Sequence, residues 1–315
     1  MVYLGLLFLS ILLTYSIRKY SLKKSILDIP NERSLHTIPT PRGGGLSIII
    51  TFFIGVILFR DSLSYNLFIA LFTVLPIVVV SLIDDVTPLS SKVRLLVQSL
   101  STLLALYFLG GVNYIDFILF ELSGWWLNII AFFSILWLTN LYNFLDGIDG
   151  YAGSQALMIG LGILLLLSNP LGLILIVSTL GFLLFNWHKA SIFMGDVGSA
   201  TLGFIFAVLI FSDTTHGTIY FWLIGLSFFW FDATVTLIRR YKNREKILEA
   251  HKKHAYQRLV QSGWSHQQVT IGLIIFNGFF LLLMFLAEEW EILFLLNIIV
   301  LTIIMYYIEK QKGFH

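Results

Sequence analysis

Residues 66–85 read Asn-Leu-Phe-Ile-Ala-Leu-Phe-Thr-Val-Leu-Pro-Ile-Val-Val-Val-Ser-Leu-Ile-Asp-Asp. The run carries no charge until its last two residues, Asp84 and Asp85. A mostly apolar run of about 20 residues is long enough to cross the hydrocarbon core of a bilayer as a helix. The stretch therefore predicts a membrane-spanning helix that ends in two adjacent carboxylates.

The rest of the chain shares this apolar character. Of its 315 residues, 57% are hydrophobic and only 12% are charged, and the mean hydropathy is +0.87. This composition excludes a soluble globular protein. The chain has no cysteine, which excludes disulfides, thiolate nucleophiles and thiolate metal sites. A net charge of +2, with basic residues in short loops, offers no nucleic-acid-binding surface.

About eleven segments qualify as spans, so the sequence predicts an all-α, polytopic integral membrane protein with a single transmembrane domain, residues 1–315. The first segment is interpreted as a span because no basic stretch precedes it and no small-residue cleavage site follows it. The chain shows no internal repeat. The segments lie near 2–17, 43–59, 66–83, 92–110, 125–142, 154–168, 171–186, 199–212, 218–238, 269–286 and 292–308.

Basic residues set the predicted orientation. With the N-terminus outside, every Lys and Arg except Arg60 falls in or beside an inner segment, and this asymmetry predicts a cytoplasmic C-terminus. The polar loops rich in Asp, Asn, His and Gly then share the inner side, where they are expected to form an active site. The inner loops lie near 18–42, 84–91, 140–153, 187–198 and 239–268.

The loop at 140–150 reads Asn-Leu-Tyr-Asn-Phe-Leu-Asp-Gly-Ile-Asp-Gly. Its two Asn and two Asp recur every third residue, which keeps them along one stripe of a helix. One interpretation is a helix end capped by Gly147 or Gly150, with solvated polar side chains. Because an ionisable side chain costs about 2.5–3.5 kcal/mol at a bilayer centre, Asp146 and Asp149 alternatively predict a wet, protein-lined cavity or a metal site.

Asp84 and Asp85 face the negative end of the helix dipole, which is unfavourable unless a cation is near. Either Lys92 or Arg94, in a purely structural arrangement, or a divalent cation would supply that charge. The next polar loop contains Phe-Met-Gly-Asp-Val-Gly-Ser at 193–199, immediately before an apolar helix. Its glycines suit backbone N–H groups turned towards an anion. Oxygen ligands from separate loops, without Cys and without paired metal-binding His, favour Mg²⁺ or Mn²⁺ over Zn²⁺.

Two basic segments complete the inner side. Residues 33–45 combine two Arg and His36 with a run of glycines, and the late loop places His251 and His254 on one helix face. Both segments are candidates for ligand binding. The alternative for residues 33–45 is a flexible loop with snorkelling Arg, and the alternative for the late loop is a basic stretch that lies on lipid headgroups. Asp232 is expected to pair with a cation of the late loop rather than to take part in catalysis.

Together these motifs resemble the polyprenyl-phosphate N-acetylhexosamine-1-phosphate transferase superfamily, glycosyltransferase family 4. The resemblance runs from about Asp28 to Gln257 and includes the undecaprenyl-phosphate GlcNAc-1-phosphate and phospho-MurNAc-pentapeptide transferases. The late loop, His-Lys-Lys-His-Ala-Tyr-Gln at 251–257, departs from the His-rich patterns of both. It is more similar to transferases that initiate O-antigen or related surface glycans, which leaves the donor sugar open.

The resemblance implies a Mg²⁺ cofactor, with Mn²⁺ as the alternative, and a set of site residues. It assigns the metal to Asn143 and Asp196, places Asp84 and Asp85 beside it, one of them as the candidate base, and adds Asp146 to the catalytic group. His251 and His254 would lie near the sugar and diphosphate. The implied nucleoside pocket consists of Gly147, Ile148, Asp149, Asn186 and Phe193.

The implied partners are undecaprenyl phosphate, a UDP-N-acetylhexosamine and membrane lipid, in a bacterial inner membrane, with a homodimer left open and no nucleic acid. The rival interpretation is a secondary transporter that uses intramembrane carboxylates. A transporter predicts acids near the bilayer midplane and broken helices in an inverted repeat. Here the Asp clusters lie at one face of the membrane and no repeat is found, which favours the transferase.

The predicted orientation can be tested with reporters fused after residue 315. We expect a fluorescent protein to be bright there and alkaline phosphatase to be inactive, because the positive-inside asymmetry holds the tail in the cytoplasm. Matched fusions after Arg60, the lone outer basic residue, should give the opposite pattern. Strong phosphatase activity after residue 315 would contradict the topology.

Overall fold

The computed structural model describes residues 1–31, 34–246 and 251–314, and most of them are helical. The α-helices are α1 (Val2–Lys23), α2 (Gly45–Leu58), α3 (Tyr65–Phe72), α4 (Leu75–Val86), α5 (Ser91–Leu109), α6 (Leu127–Phe144), α7 (Tyr151–Leu165), α8 (Leu171–Asn186), α9 (Asp196–Ser212), α10 (Thr218–Gly225), α11 (Ser227–Lys242), α12 (Ala255–Gln261), α13 (His266–Leu286) and α14 (Trp290–Gln311).

Two short antiparallel pairs interrupt the helices, a detail that the all-α prediction did not include. Strand β1 (Leu27–Asp28) pairs with β2 (Thr40–Pro41), and β3 (Tyr114–Asp116) pairs with β4 (Glu121–Ser123). Within the described part of the chain, neither pair extends into a larger sheet. The fold is therefore mostly helical, as predicted, and the β1–β2 pair folds the first polar loop back on itself.

Each of the eleven predicted spans coincides with one helix or with two consecutive helices. Among the described residues, six helical segments are long and apolar enough to cross a membrane, or seven if α10 and α11, which meet at a bend of 64°, count as one. Helices α2, α7, α8 and α9 are apolar but have only 14 to 17 residues. The structure thus supports a multi-pass membrane protein, and the number eleven stays a prediction.

Helix α9 forms the centre of the bundle. Its residues are apolar all round and nearly all buried, as expected of a helix enclosed by others. Helices α6, α4 and α2 pack around it, and α8 packs between α1 and α7. Helix α9 starts at Asp196. The carboxylate of Asp196 therefore lies at the N-terminus of this enclosed helix, at one end of the bundle.

The first polar loop is fastened to the start of α9 by backbone hydrogen bonds. The N–H groups of Gly44 and Gly45 donate to the carbonyl groups of Phe193 (2.9 Å) and Met194 (2.8 Å), and Phe193 N–H donates to Pro41 (2.8 Å). A Cβ on Gly45 would collide with the backbone of Gly198. The two chain segments therefore approach at a distance that only glycine permits.

The C-terminal end of the chain holds α12 in place. The Glu309 carboxylate accepts hydrogen bonds from Arg239 of α11 (2.6 Å) and Arg258 of α12 (2.7 Å). The Phe314 ring faces the guanidinium groups of both arginines at 5.4 and 5.6 Å. Helices α11, α12 and α14 are thus joined at one carboxylate.

We expect Gly45→Ala to destabilise the fold by about 1–3 kcal/mol, because an added methyl group in a close-packed contact forces the backbone apart. The measurement is the thermal unfolding midpoint of the detergent-solubilised protein. Gly272→Ala, in α13, is the matched control, since a Cβ there meets nothing within 4 Å and alanine favours helix. Equal midpoints for the two variants would contradict the close contact.

Candidate active site

One cavity of about 380 Å³ opens where the polar loops meet. Its walls come from the first polar loop, the start of α5, the 140–150 loop, the segment that leads into α9, and α12 and α13. Most of the lining is polar, which distinguishes it from the apolar surface of the spans. The lining residues are Asp28, Asn31, Ser34, Leu35, His36, Arg42, Arg94, Asn143, Asp146, Gly147, Ile148, Asp149, Asn186, Phe193, Met194, Gly195, Asp196, Gln257 and His266.

Asp85 caps the N-terminus of α9 from outside that helix. Its two carboxylate oxygens accept hydrogen bonds from the backbone N–H groups of Asp196 (3.1 Å) and Val197 (3.3 Å), and Arg42 Nε lies 3.3 Å away. The negative end of the α4 dipole, which disfavours this carboxylate, is thereby offset by the positive end of α9. Gly195, with φ +76°, leaves room that a side chain would fill.

Arg94 bridges two further carboxylates. Its Nη1 lies 2.9 Å from both Asp84 and Asp196, so Arg94 serves as the structural cation that the sequence left open. The Asn143 amide donates to Asp196 at 3.3 Å, and the Ser199 hydroxyl donates to the Asn143 oxygen at 2.6 Å. Asn143 and Asp196 are therefore in direct contact in the cavity wall, and each carries a side-chain oxygen.

The carboxylates outnumber the cations in this cluster. Asp84, Asp85, Asp146 and Asp196 are accompanied by two guanidinium groups, those of Arg42 and Arg94. Burial, together with the nearby carboxylates of Asp196 and Asp85, raises the pKa of Asp146 to about 8, although Arg42 opposes the shift. A divalent cation would remove this electrostatic conflict. The oxygen-only donor set of Asn143 and Asp196 therefore fits Mg²⁺ or Mn²⁺.

The residues assigned to a nucleoside pocket line the same cavity. Asn186 accepts a hydrogen bond from Gly150 N–H (3.0 Å) and donates to the Ile192 carbonyl group (2.9 Å), so its amide ties two loops together. The Phe193 ring packs edge-on against His36, with centroids 4.9 Å apart. Phe193 thus stands as an aromatic wall, supported by the first polar loop.

The two late histidines do not line the cavity. His254 is 2% exposed, and its Nδ1 lies 3.5 Å from the Asp232 carboxylate. Asp232 also accepts the backbone N–H of Ala255 at 2.9 Å. His251 stacks beside His254, with ring centroids 4.8 Å apart. Asp232 pairs with a late-loop histidine, and among the described residues of the late loop it is Gln257 that reaches the cavity.

Several lining residues were not predicted from the sequence. His266 opens α13 directly after Ser265, which forms a capping box with Gln268, and a single histidine beside a cap gave no signal of a site. His36 and Arg42 were noted only as part of a basic segment, and Arg33 of that segment lies outside the described residues. His266, His36 and Gln257 are brought together only by the tertiary fold, so the local spacing of residues could not predict their proximity.

Known proteins are similar in sequence to this chain over most of its length. The family model described as Glycosyl transferase family 4 matches residues 67–213. A "Probable undecaprenyl-phosphate N-acetylglucosaminyl 1-phosphate transferase" of Bacillus subtilis is 31% identical over 96% of this chain and 89% of its own length.

Two further relatives widen the comparison. An "Undecaprenyl-phosphate alpha-N-acetylglucosaminyl 1-phosphate transferase" of Thermotoga maritima is 26% identical over 97% of this chain and 96% of its own length. A "Phospho-N-acetylmuramoyl-pentapeptide-transferase" of Prochlorococcus marinus is 30% identical over 65% of each chain. The similarity therefore covers the helical bundle and the polar loops together.

The late histidines give a test of pH dependence. Burial, aided by the nearby charges of His254 and Arg240, lowers the pKa of His251 to about 4. The unfolded chain binds a proton at this residue below a pH of about 6.5, whereas the folded chain does not. The contribution of neutral His251 to the free energy of unfolding is thus complete above pH ~6.5 and is lost as the pH falls towards 4.

We therefore expect the unfolding midpoint of the wild type to fall more steeply between pH 6.5 and 4 than that of His251→Gln. His216→Gln, at an exposed turn, is the matched control and should follow the wild type. Parallel curves for all three proteins would show that His251 titrates normally in the folded state.

Proposed function

The chain belongs to glycosyl transferase family 4, and from that premise we propose that it transfers a HexNAc-1-phosphate from a UDP-sugar to undecaprenyl phosphate, releasing UMP. The sugar is GlcNAc or a 6-deoxy-HexNAc, and the product starts assembly of a lipid-linked surface glycan. The reaction takes place at the cytoplasmic face of a bacterial inner membrane. The observation that carries this proposal is the polar cavity, whose wall joins Asp146 and Asp196 of the carboxylate cluster to the aromatic ring of Phe193 at one end of an apolar bundle.

The chemical task is to bring together two polyanions, a lipid phosphate and a nucleotide diphosphate. The guanidinium groups of Arg42 and Arg94 lie at the cavity wall and reduce their mutual repulsion by positioning and charge. Mg²⁺ held by Asn143 and Asp196 would supply further charge neutralisation on the phosphoryl oxygens. Because Arg94 is fixed between two carboxylates, it is oriented before any substrate arrives.

The acceptor requires little activation. A phosphate with a second pKa near 6 is largely ionised at neutral pH, so a base at Asp84 or Asp85 has only a residual proton to remove. Asp85 is occupied by the α9 backbone and Arg42, and Asp84 accepts a hydrogen bond from the Leu89 N–H (2.6 Å). Both carboxylates therefore serve mainly to orient Arg42, Arg94 and the start of α9.

The nucleoside end supplies binding energy remote from the reacting phosphorus. Phe193 offers a face for the uracil, and the backbone of Gly147 and Ile148 borders the same space. Such remote contacts hold the β-phosphorus in line with the attacking oxygen. The acids of the carboxylate cluster lie near helix ends, with Asp84 at the close of α4 and Asp196 at the start of α9, rather than midway along a span where a transporter relay would need them.

The proposal predicts the products of a defined assay. Purified protein with undecaprenyl phosphate, Mg²⁺ and a panel of UDP-HexNAc donors should release UMP and, with at least one donor, increase the lipid mass by one HexNAc-phosphate unit. Omission of the lipid phosphate should abolish both signals. Release of UDP instead of UMP, or a lipid product with a single phosphate, would contradict phosphoryl transfer.

The metal assignment gives a second prediction. We expect Asp196→Asn to lower turnover by about 10²-fold or more, because it removes a charged oxygen ligand, while EDTA abolishes the activity of the wild type and Mg²⁺ or Mn²⁺ restores it. Asp61→Asn, at an exposed turn, is the charge-matched control. Unfolding midpoints separate lost chemistry from lost folding, and near-wild-type turnover of Asp196→Asn at limiting Mg²⁺ would remove this residue from the metal site.

A further inference from the structure

A second group of ligand-type side chains lies at the cavity, with two of its three members in the wall, and the reaction outlined above makes no use of it as a group. Asp149, His188 and His266 each offer a ligand atom within 4.8 Å of the other two. His188 Nδ1 lies 3.1 Å from Asp149 Oδ2, and His266 Nδ1 lies 3.4 Å from Asp149 Oδ1. Two imidazole rings thus face opposite oxygens of one carboxylate.

The three residues come from separate segments, and two of them are held in place by further contacts. Asp149 accepts a hydrogen bond from Ala190 N–H at 3.2 Å, and its carbonyl group accepts one from the Thr270 hydroxyl at 3.0 Å. His266 is the first residue of α13, where the capping box fixes the backbone. The arrangement is therefore built by the fold and does not depend on a chance surface contact.

His266 Nδ1 has two polar neighbours in Asp149, and one of them is mismatched in either protonation state of the ring. This atom lies 3.4 Å from the backbone N–H of Asp149 and also 3.4 Å from its Oδ1. If Nδ1 carries a proton, that proton opposes the N–H group. If it does not, its lone pair faces a carboxylate oxygen. A cation shared by Nδ1 and Oδ1 would turn the second contact into an attraction.

We propose that Asp149, His188 and His266 form a second cation site, which takes a transition metal of the Zn²⁺ class. Two imidazole nitrogens and one carboxylate oxygen form a ligand set that suits Zn²⁺ and leaves a fourth position open. The carboxylate cluster at Asp196, by contrast, has the oxygen donors that suit Mg²⁺. The two sites sort cations by ligand chemistry within one cavity.

Occupancy of this site has a consequence for the proposed function, on which this step rests. Asp149 and His266 both line the cavity, so a bound Zn²⁺ would engage the Asp149 carboxylate that the nucleoside end of a UDP-sugar must approach. Zn²⁺ would then inhibit turnover in competition with the donor, whereas Mg²⁺ supports it. The site would act as an inhibitory metal site.

Binding is tested with Co²⁺ as a spectroscopic probe, on full-length protein freed of any polyhistidine tag and kept in excess Mg²⁺. We expect one equivalent of Co²⁺ to bind with the visible absorption of a low-coordinate nitrogen and oxygen site, and Zn²⁺ to displace it. His188→Asn and His266→Gln should each weaken binding by about tenfold or more. His216→Gln, outside the cluster, should bind Co²⁺ as the wild type does.

The outcomes separate the two proposals. Co²⁺ binding that is equal in His188→Asn, His266→Gln and His216→Gln, all with wild-type unfolding midpoints, would overturn the metal site and leave the transferase standing. Co²⁺ binding without UMP release from any donor would support the site and contradict the transferase. In the active wild type, Zn²⁺ should raise the KM for the UDP-sugar more than it lowers kcat, and inhibition that affects kcat alone would overturn the competitive role.

Discussion

An excess of negative charge, enclosed at one end of an apolar helical bundle, is the constraint on which the rest of the structure depends. Charged groups removed from water cost several kcal/mol each unless partners compensate them. Here the compensation recruits distant parts of the chain. The first turn of α9 meets Asp85, Arg42 arrives from the first polar loop, and Arg94 from α5 joins Asp84 to Asp196. The polar loops therefore meet at this end of the bundle, where their cations and backbone N–H groups compensate the buried carboxylates.

The sequence predicts the helices well and their breaks poorly. Apolar runs flanked by charges mark helix positions, since lipid leaves the backbone no alternative to internal hydrogen bonding. The bend between α10 and α11 follows Gly225, but a single glycine inside an apolar run is common in spanning helices and did not mark it. In the short β1–β2 pair, Pro41 of β2 also accepts a hydrogen bond from the Phe193 N–H, a contact with a residue far away in sequence.

For the site, the residue types and their spacing in the sequence were informative, but the directions in which the side chains point could not be predicted. The polar residues at 140–150 and the Asp196 loop predicted a polar cavity, since such groups need water, partners or a metal. The predicted helical stripe was wrong for its two Asp, because α6 ends at Phe144, although Asp146 and Asp149 still line the cavity. The late loop shows the limit of motif matching. His254 precedes the first residue of α12 and turns inward to Asp232, so Gln257, one turn further on, faces the cavity instead. A histidine pattern cannot reveal which side of a short helix is buried.

The fastening of α12 also bears on the entropy of substrate binding. Three contacts hold this short helix: Asp232 at its first residue, the Phe144 carbonyl group on the Tyr256 hydroxyl (3.1 Å), and Glu309 on Arg258. Its Gln257 is already held by a hydrogen bond from His254 N–H (3.1 Å). Immobilising a free side chain costs about 0.5–1.5 kcal/mol on association. A ligand that meets Gln257 encounters a group whose freedom was lost during folding, so the contact adds to affinity with little further loss of motion.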